Sequence, residues 1–206
     1  MKIFVYERPW ALLPQVLDAL RNPQAIGAFT LHHESAARAS LPANGGTVAV
    51  LPLHGIILQR FPYLGTSVEM FTQAFRHALA DPQISAIVID VDSPGGEVSG
   101  VPELAAEILA ARQEKKIVAV ANSFAASAAY WIAAAASEFI ASPSAMVGSI
   151  GVYALHFDFS KAIDAAGIKP TFISAGKFKT EGNVLEPLGE QAAAAIQKDV
   201  DAYYDM

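Results

Sequence analysis

A serine hydroxyl attacks a carbonyl only after a base has taken its proton, so serines among small neighbours, and bases able to serve them, come first. Ser127 is the foremost case. It stands in Ala125-Ala126-Ser127-Ala128-Ala129-Tyr130, where small flanks let a substrate carbonyl approach and N–H groups at a helix start can stabilise an oxyanion. A second segment, Asp92-Ser93-Pro94-Gly95-Gly96, sets two glycines side by side, so backbone N–H groups can turn toward a ligand with no side chain in the way. A third, Ala175-Gly176-Lys177-Phe178-Lys179-Thr180, offers two lysines in a loop. Each segment follows an apolar run that reads as a strand, where open α/β sheets place their sites. Taken singly, each also has an ordinary reading of greater weight: an N-cap serine, a strand-to-helix turn, a solvated surface charge.

The supply of bases is narrow. The chain has no cysteine, which removes disulfides, thiolate metal sites and a cysteine nucleophile together. Of its five histidines, His32 and His33 fall in an irregular N-terminal part, His77 on a helix, and His54 and His156 within strands, where they read as core-edge residues. No Gly-x-Ser-x-Gly elbow and no His-Glu-x-x-His metal motif occurs. A lysine can act as the base if it is neutral, and lowering its pKa from about 10.4 to near 7 takes roughly 4 kcal/mol of desolvation or like-charge repulsion. Burial beside the alanine-rich helix is the expected source.

The elements that would position these residues alternate. A weak helical pattern from Val16 to about Leu41 is followed by a turn at Pro42 to Gly46, then a strand from Thr47 to Leu53. Thr66 to Leu79 reads as a helix closed by Asp81-Pro82, Ala86 to Val91 as a strand, and Val101 to Arg112 as an amphipathic helix. Ile117 to Ala121 reads as a buried strand, Ala126 to Ala136 as a helix, Val152 to Phe157 as a strand, Ser160 to Ala166 as a helix and Thr171 to Ser174 as a strand. A final helix begins near Leu188; its apolar face of Ala193, Ile196, Val200 and Tyr203 is still open where the chain ends, an expected contact surface or truncation point. The alternation predicts an α/β fold with a mostly parallel sheet, with an N-terminal extension over 1–45 and one domain over 46–206.

Bulk properties narrow the function. With 206 residues, 53% of them apolar, the chain can fill a core. A net charge of -6 without a basic run gives no footprint for a phosphate backbone, so no nucleic-acid partner is expected. The most apolar stretch, Ala125 to Ala141, contains Ser127, Ser137 and Glu138 and falls short of the roughly 20 residues a bilayer demands, so it reads as a buried helix running into a strand. The first residues are too briefly apolar for a secretory signal, and a cytoplasmic location is the default.

Together and in this order, the segments resemble the signal-peptide-peptidase A family of Ser/Lys peptidases, from about Val48 onward. The Asp-Ser-Pro-Gly-Gly turn stands at Asp92 to Gly96, and the nucleophile segment at Ala125 to Tyr130, with alanines where many members have glycines. A Gly-Ser-Ile-Gly-Val segment runs unchanged from Gly148 to Val152, and the Ser-Gly-x-x-Lys segment maps onto Ala175 to Lys179, selecting Lys179 over Lys177. The resemblance implies the Clp-protease/crotonase fold with repeated β-β-α units. It implies acyl transfer by Ser127 as nucleophile and Lys179 as general base, with N–H groups of Gly96 and Ala128 as oxyanion hole and Ser149 orienting the lysine. No metal or organic cofactor is implied. The Lys-Thr-Glu-Gly-Asn continuation and the Val-Ser-Gly after Glu97 are similar to the phage branch, whose members mature capsids. That places the chain in host cytoplasm or procapsid, with a protein or peptide substrate such as a capsid scaffold, as a homo-oligomer. Two other readings stay open: a crotonase-type enzyme acting on acyl-CoA, and a non-catalytic scaffold or assembly protein.

Overall fold

The computed structural model describes residues 9–12, 39–43, 46–60 and 65–206. The chain divides into two compact units, one of Trp10–Gly151 and a smaller one that includes Val152–Met206.

The first unit carries two sheets joined by a recurring corner. β3 (Gly46–His54), β6 (Ile84–Ser93) and β8 (Lys116–Ala126) are the long strands, and they lie parallel, side by side in the order β8-β6-β3. β2 (Ala39–Ala43) closes one edge antiparallel to β3; β9 (Glu138–Ala141) and β10 (Met146–Gly148) pair with successive stretches of β8. After β3 and again after β6 the chain crosses into a four-stranded sheet. β4 (Ile56–Leu58) and β5 (Gly65–Ser67) precede α1 (Val68–Ala80), and β7 (Gly95–Glu97) precedes α2 (Val101–Ala111). With β1 (Trp10–Leu12), that sheet has the order β1-β7-β4-β5. Long strand, short strand, helix is thus the repeating unit of a mixed α/β fold.

The long strands are β-branched and apolar because helices or the second sheet cover them, and Leu53, Ile87, Ile89, Val91 and Ile117 are completely buried. The helices carry their sequence signals. Ser67 caps α1, its hydroxyl accepting from the Met70 N–H at 3.3 Å, and α2 begins after Gly100 at φ 81 with Pro102 in its first turn. Arg76 of α1 forks onto Glu107 of α2 at 2.7 and 2.8 Å, and this hydrogen bond, with the charge behind it, holds the guanidinium above its ordinary pKa.

The second unit has less regular structure. It contains α4 (Ser160–Ala165) and α5 (Glu190–Tyr204). Ahead of α4, the Asp158 carboxylate accepts hydrogen bonds from Ser160, which hold its pKa below the ordinary value. On α5 the face foreseen at Ala193, Ile196, Val200 and Tyr203 is half-buried, and Ala193, Ile196 and Val200 line a cavity of about 800 Å³ with Tyr153, Leu155 and Leu188.

Three expectations are corrected. Where the weak helix of Val16 to Leu41 reaches the described residues, Ala39–Ala43 is a strand, because pairing along β3 overrides a faint helical period; the rest of it lies outside the described residues. Val152 to Phe157 keeps only an isolated bridge at Tyr153, and Thr171 to Ser174 is irregular, with Ile173 99% exposed. Apolar β-branched residues make a strand only where a neighbouring strand takes up their backbone groups.

Candidate functional site

The Trp10–Gly151 unit builds a site at the end of β8. α3 (Ala128–Ala134) starts one residue after β8 ends, so Ser127 alone makes the turn. Its backbone lies at φ 56, ψ -118, a region a non-glycine residue enters at a cost of about 1–3 kcal/mol. The surroundings hold it there. Its N–H donates to the Gly148 carbonyl at 2.7 Å, and its own carbonyl accepts the first helical bond, from Trp131 N–H at 2.9 Å. The side chain makes no capping hydrogen bond to α3, so the N-cap reading of this serine fails.

Two glycine corners flank the serine. On one side Gly148 ends β10, in register with Ala126. On the other, Gly95 at φ 96 presses so closely that a Cβ there would stand 2.9 Å from the Ala126 carbonyl oxygen and 3.0 Å from the Ser127 Cβ, and would overlap the Ala11 carbonyl oxygen. A side chain on Gly96 would point to the other face, as the next residue of a strand must, and its Cβ would collide with the Ile57 backbone. The Asp92 to Gly96 segment and Gly148 therefore meet the serine segment within one compact unit.

Ser93 fixes this corner. It is fully buried; its hydroxyl donates to the Gly55 carbonyl at 2.6 Å and accepts from the Gly95 N–H at 3.1 Å. Gly55 and Gly95 mark the two points where the chain leaves one sheet for the other, so one hydroxyl ties both crossings and sets Gly95 against Ser127. Sequence reasoning singled out the segment for its glycines and gave Ser93 no role. A buried serine between two strand ends was the available signal.

The remaining sequence-predicted residues are placed as follows. Ala128, the first residue of α3, is buried, and its N–H precedes the first intrahelical bond. Ser149 is exposed, at φ 55. Lys179 belongs to the second unit and is exposed in a turn where its N–H donates to the Gly176 carbonyl at 3.3 Å, while Lys177 Nζ lies 4.8 Å from the Phe178 ring centroid. Of the histidines, His54 Nε2 meets Asp90 Oδ2 at 2.9 Å and His156 Nε2 meets the Asn183 carbonyl at 3.0 Å. His32 and His33 lie outside the described residues. Among the described residues no cluster of His, Asp and Glu is arranged to hold a metal ion, and no helix is long and apolar enough to cross a membrane.

A family model for peptidase family S49 matches residues 110–206, a span that includes Ser127 and Lys179. The chain belongs to peptidase family S49. Among its relatives, the head-tail preconnector protein GP5 of Enterobacteria phage P21 is 33% identical over 75% of this chain and 32% of that protein. The capsid assembly protease C of Escherichia phage lambda is 31% identical over 92% of this chain and 45% of that protein, and protease 4 of Salmonella typhi 35% identical over 78% and 26%. The chain therefore spans less than half the length of these curated relatives. Among solved structures, an enoyl-CoA hydratase/isomerase family protein from Silicibacter pomeroyi aligns at 13% identity over 82% of this chain and 84% of that one, with a TM-score of 0.40. The architecture of this S49 chain is read from its own sheet topology.

Proposed function

We propose that this S49 chain is a serine peptidase of the phage head-maturation type, hydrolysing peptide bonds of a capsid scaffold protein, with Ser127 as nucleophile and Lys179 as general base. The observation that carries it is the conformation of Ser127. A strained serine at a strand-to-helix turn, buried yet making no capping bond and flanked by two glycines, has no structural task that glycine would not perform with less strain.

In this reading Lys179 takes the Ser127 proton as Oγ attacks the scissile carbonyl. The amine leaves with that proton, and water then hydrolyses the acyl-enzyme. The N–H groups of Ala128 and Gly96 face the developing oxyanion, and Ser149 orients the lysine. A lysine serves as a base only when neutral, and Lys179 is exposed. Its desolvation is assigned to the state in which substrate, or a second copy of the chain, covers the loop. The half-buried face of α5 is the proposed contact between copies.

The test compares wild type, Ser127→Ala and Lys179→Ala on unstructured protein and a peptide mixture, read by mass spectrometry. Cleavage by wild type is expected to fall by at least about a thousandfold in both variants. A primary alkylamine in the buffer is expected to restore part of the Lys179→Ala rate and none of the Ser127→Ala rate. Cleavage that persists in Ser127→Ala rules out the nucleophile.

A further inference from the structure

The strand next to the candidate nucleophile belongs to the chain's own N-terminal region. β7 is three residues long and has two edges. One is taken by β4, with Ile57 opposite Gly96. The other is taken by β1, antiparallel, in the register Trp10 to Glu97, Ala11 to Gly96 and Leu12 to Gly95. The Ala11 carbonyl and the Ser127 Cβ crowd the same point, the place a Cβ on Gly95 would occupy. Trp10 and Ala11 are 5% and 2% exposed, so β1 is packed in place.

An enzyme that accepts many sequences holds its substrate through main-chain pairing to a strand edge, since every peptide carries the same N–H and C=O groups. For Ser127 the edge at hand is the one that runs through Gly95 and Gly96 on the side away from β4. We propose that Trp10–Leu12 is a resident occupant of the peptide-binding edge of β7, so that a protein substrate reaches Ser127 only when β1 has left. The proposal rests on the peptidase reading. The edge β1 covers takes an extended peptide of three or more residues, and the fraction of molecules with β1 detached sets the apparent affinity for that peptide.

The absence of native cysteine gives a direct test. Trp10→Cys with Glu97→Cys places two thiols at directly opposed strand positions, and their disulfide fastens β1 to β7. The oxidised double variant is expected to cleave unstructured protein at least about tenfold more slowly than the same protein after reduction. Ala11→Asp sets a charge at a buried strand position and is expected to raise cleavage at least about fivefold over wild type. Its melting curve shows whether the remaining fold is intact; if it is not, the oxidised and reduced forms of the double variant decide alone. Equal rates in those two forms, or a folded Ala11→Asp no faster than wild type, overturn the occupancy of this edge and leave the peptidase reading standing. A fluorophosphonate probe separates the two failures: no labelling of Ser127 in any form, with no cleavage, refutes the peptidase reading and this proposal with it.

Discussion

Ser127 occupies a backbone conformation that favours glycine, and that strain is separable from its chemistry. Ser127→Ala keeps the strained φ of 56 and loses the hydroxyl; Ser127→Gly loses both. Both are expected to be inactive, yet the glycine variant is expected to be more stable than the alanine variant by about 1 kcal/mol, or about 3 °C in melting temperature. A glycine variant that melts below the alanine variant would mean the turn is unstrained. Ser93 makes the second residue-scale prediction. Ser93→Ala leaves the Gly55 carbonyl and Gly95 N–H without their buried partner, and is expected to lower stability by about 1–3 kcal/mol in urea unfolding. Cleavage is expected to fall with it, since Gly95 then loses its anchor against Ser127.

At the scale of elements, the site depends on how α3 is held. The helix is short, and its C-terminal end is secured from outside: Arg112, just after α2, donates from Nε to the Ala135 carbonyl at 2.6 Å and from Nη2 to the Ala134 carbonyl at 2.9 Å. A guanidinium at a helix C-terminus satisfies orphan carbonyls and meets the negative end of the dipole. Lys115 does the same for α1, donating to the Ala78 and Asp81 carbonyls at 3.0 and 2.6 Å. Arg112→Ala is expected to cost about 1–2 kcal/mol, read as a lower urea midpoint with unchanged slope. Tyr130 of α3 meets Phe139 of β9 edge-on at 5.8 Å, so the same helix is also packed against the strand edge beyond it.

At the scale of the whole molecule, the chain divides its stability unevenly. β3, β6 and β8 are paired along most of their length over a completely buried core, whereas residues 170–187 form no helix or strand and are largely exposed. Amide hydrogen exchange is expected to show the central-strand amides protected at least about a thousandfold more than those of 170–187. Comparable protection in 170–187 would indicate that an interaction between copies orders that segment, and light scattering at the same concentration would show the oligomer. The proposed lysine base lies in this weakly structured segment, which fits a base that is completed by substrate or assembly.

Strong local signals carried much of this protein in the sequence alone. The α1, α2 and α5 helices and the β3 and β6 strands lie where apolar periodicity and turn residues set them, because each satisfies its own period over many residues, whereas β8 continues past the expected end at Ala121 to Ala126 through its pairing with β10. Ser127, Gly95 and Gly96 stood out because small residues at strand ends are rare punctuation. The short strands β1, β4, β5, β7 and β10 had too few residues to show a period, and they exist only through partners distant in sequence. The positive φ of Ser127, the double hydrogen bond of Ser93 and the seat of β1 on β7 were likewise decided by tertiary structure. Each depends on backbone atoms from separate parts of the chain meeting at one corner, and no local pattern of residue types records where those atoms come to lie.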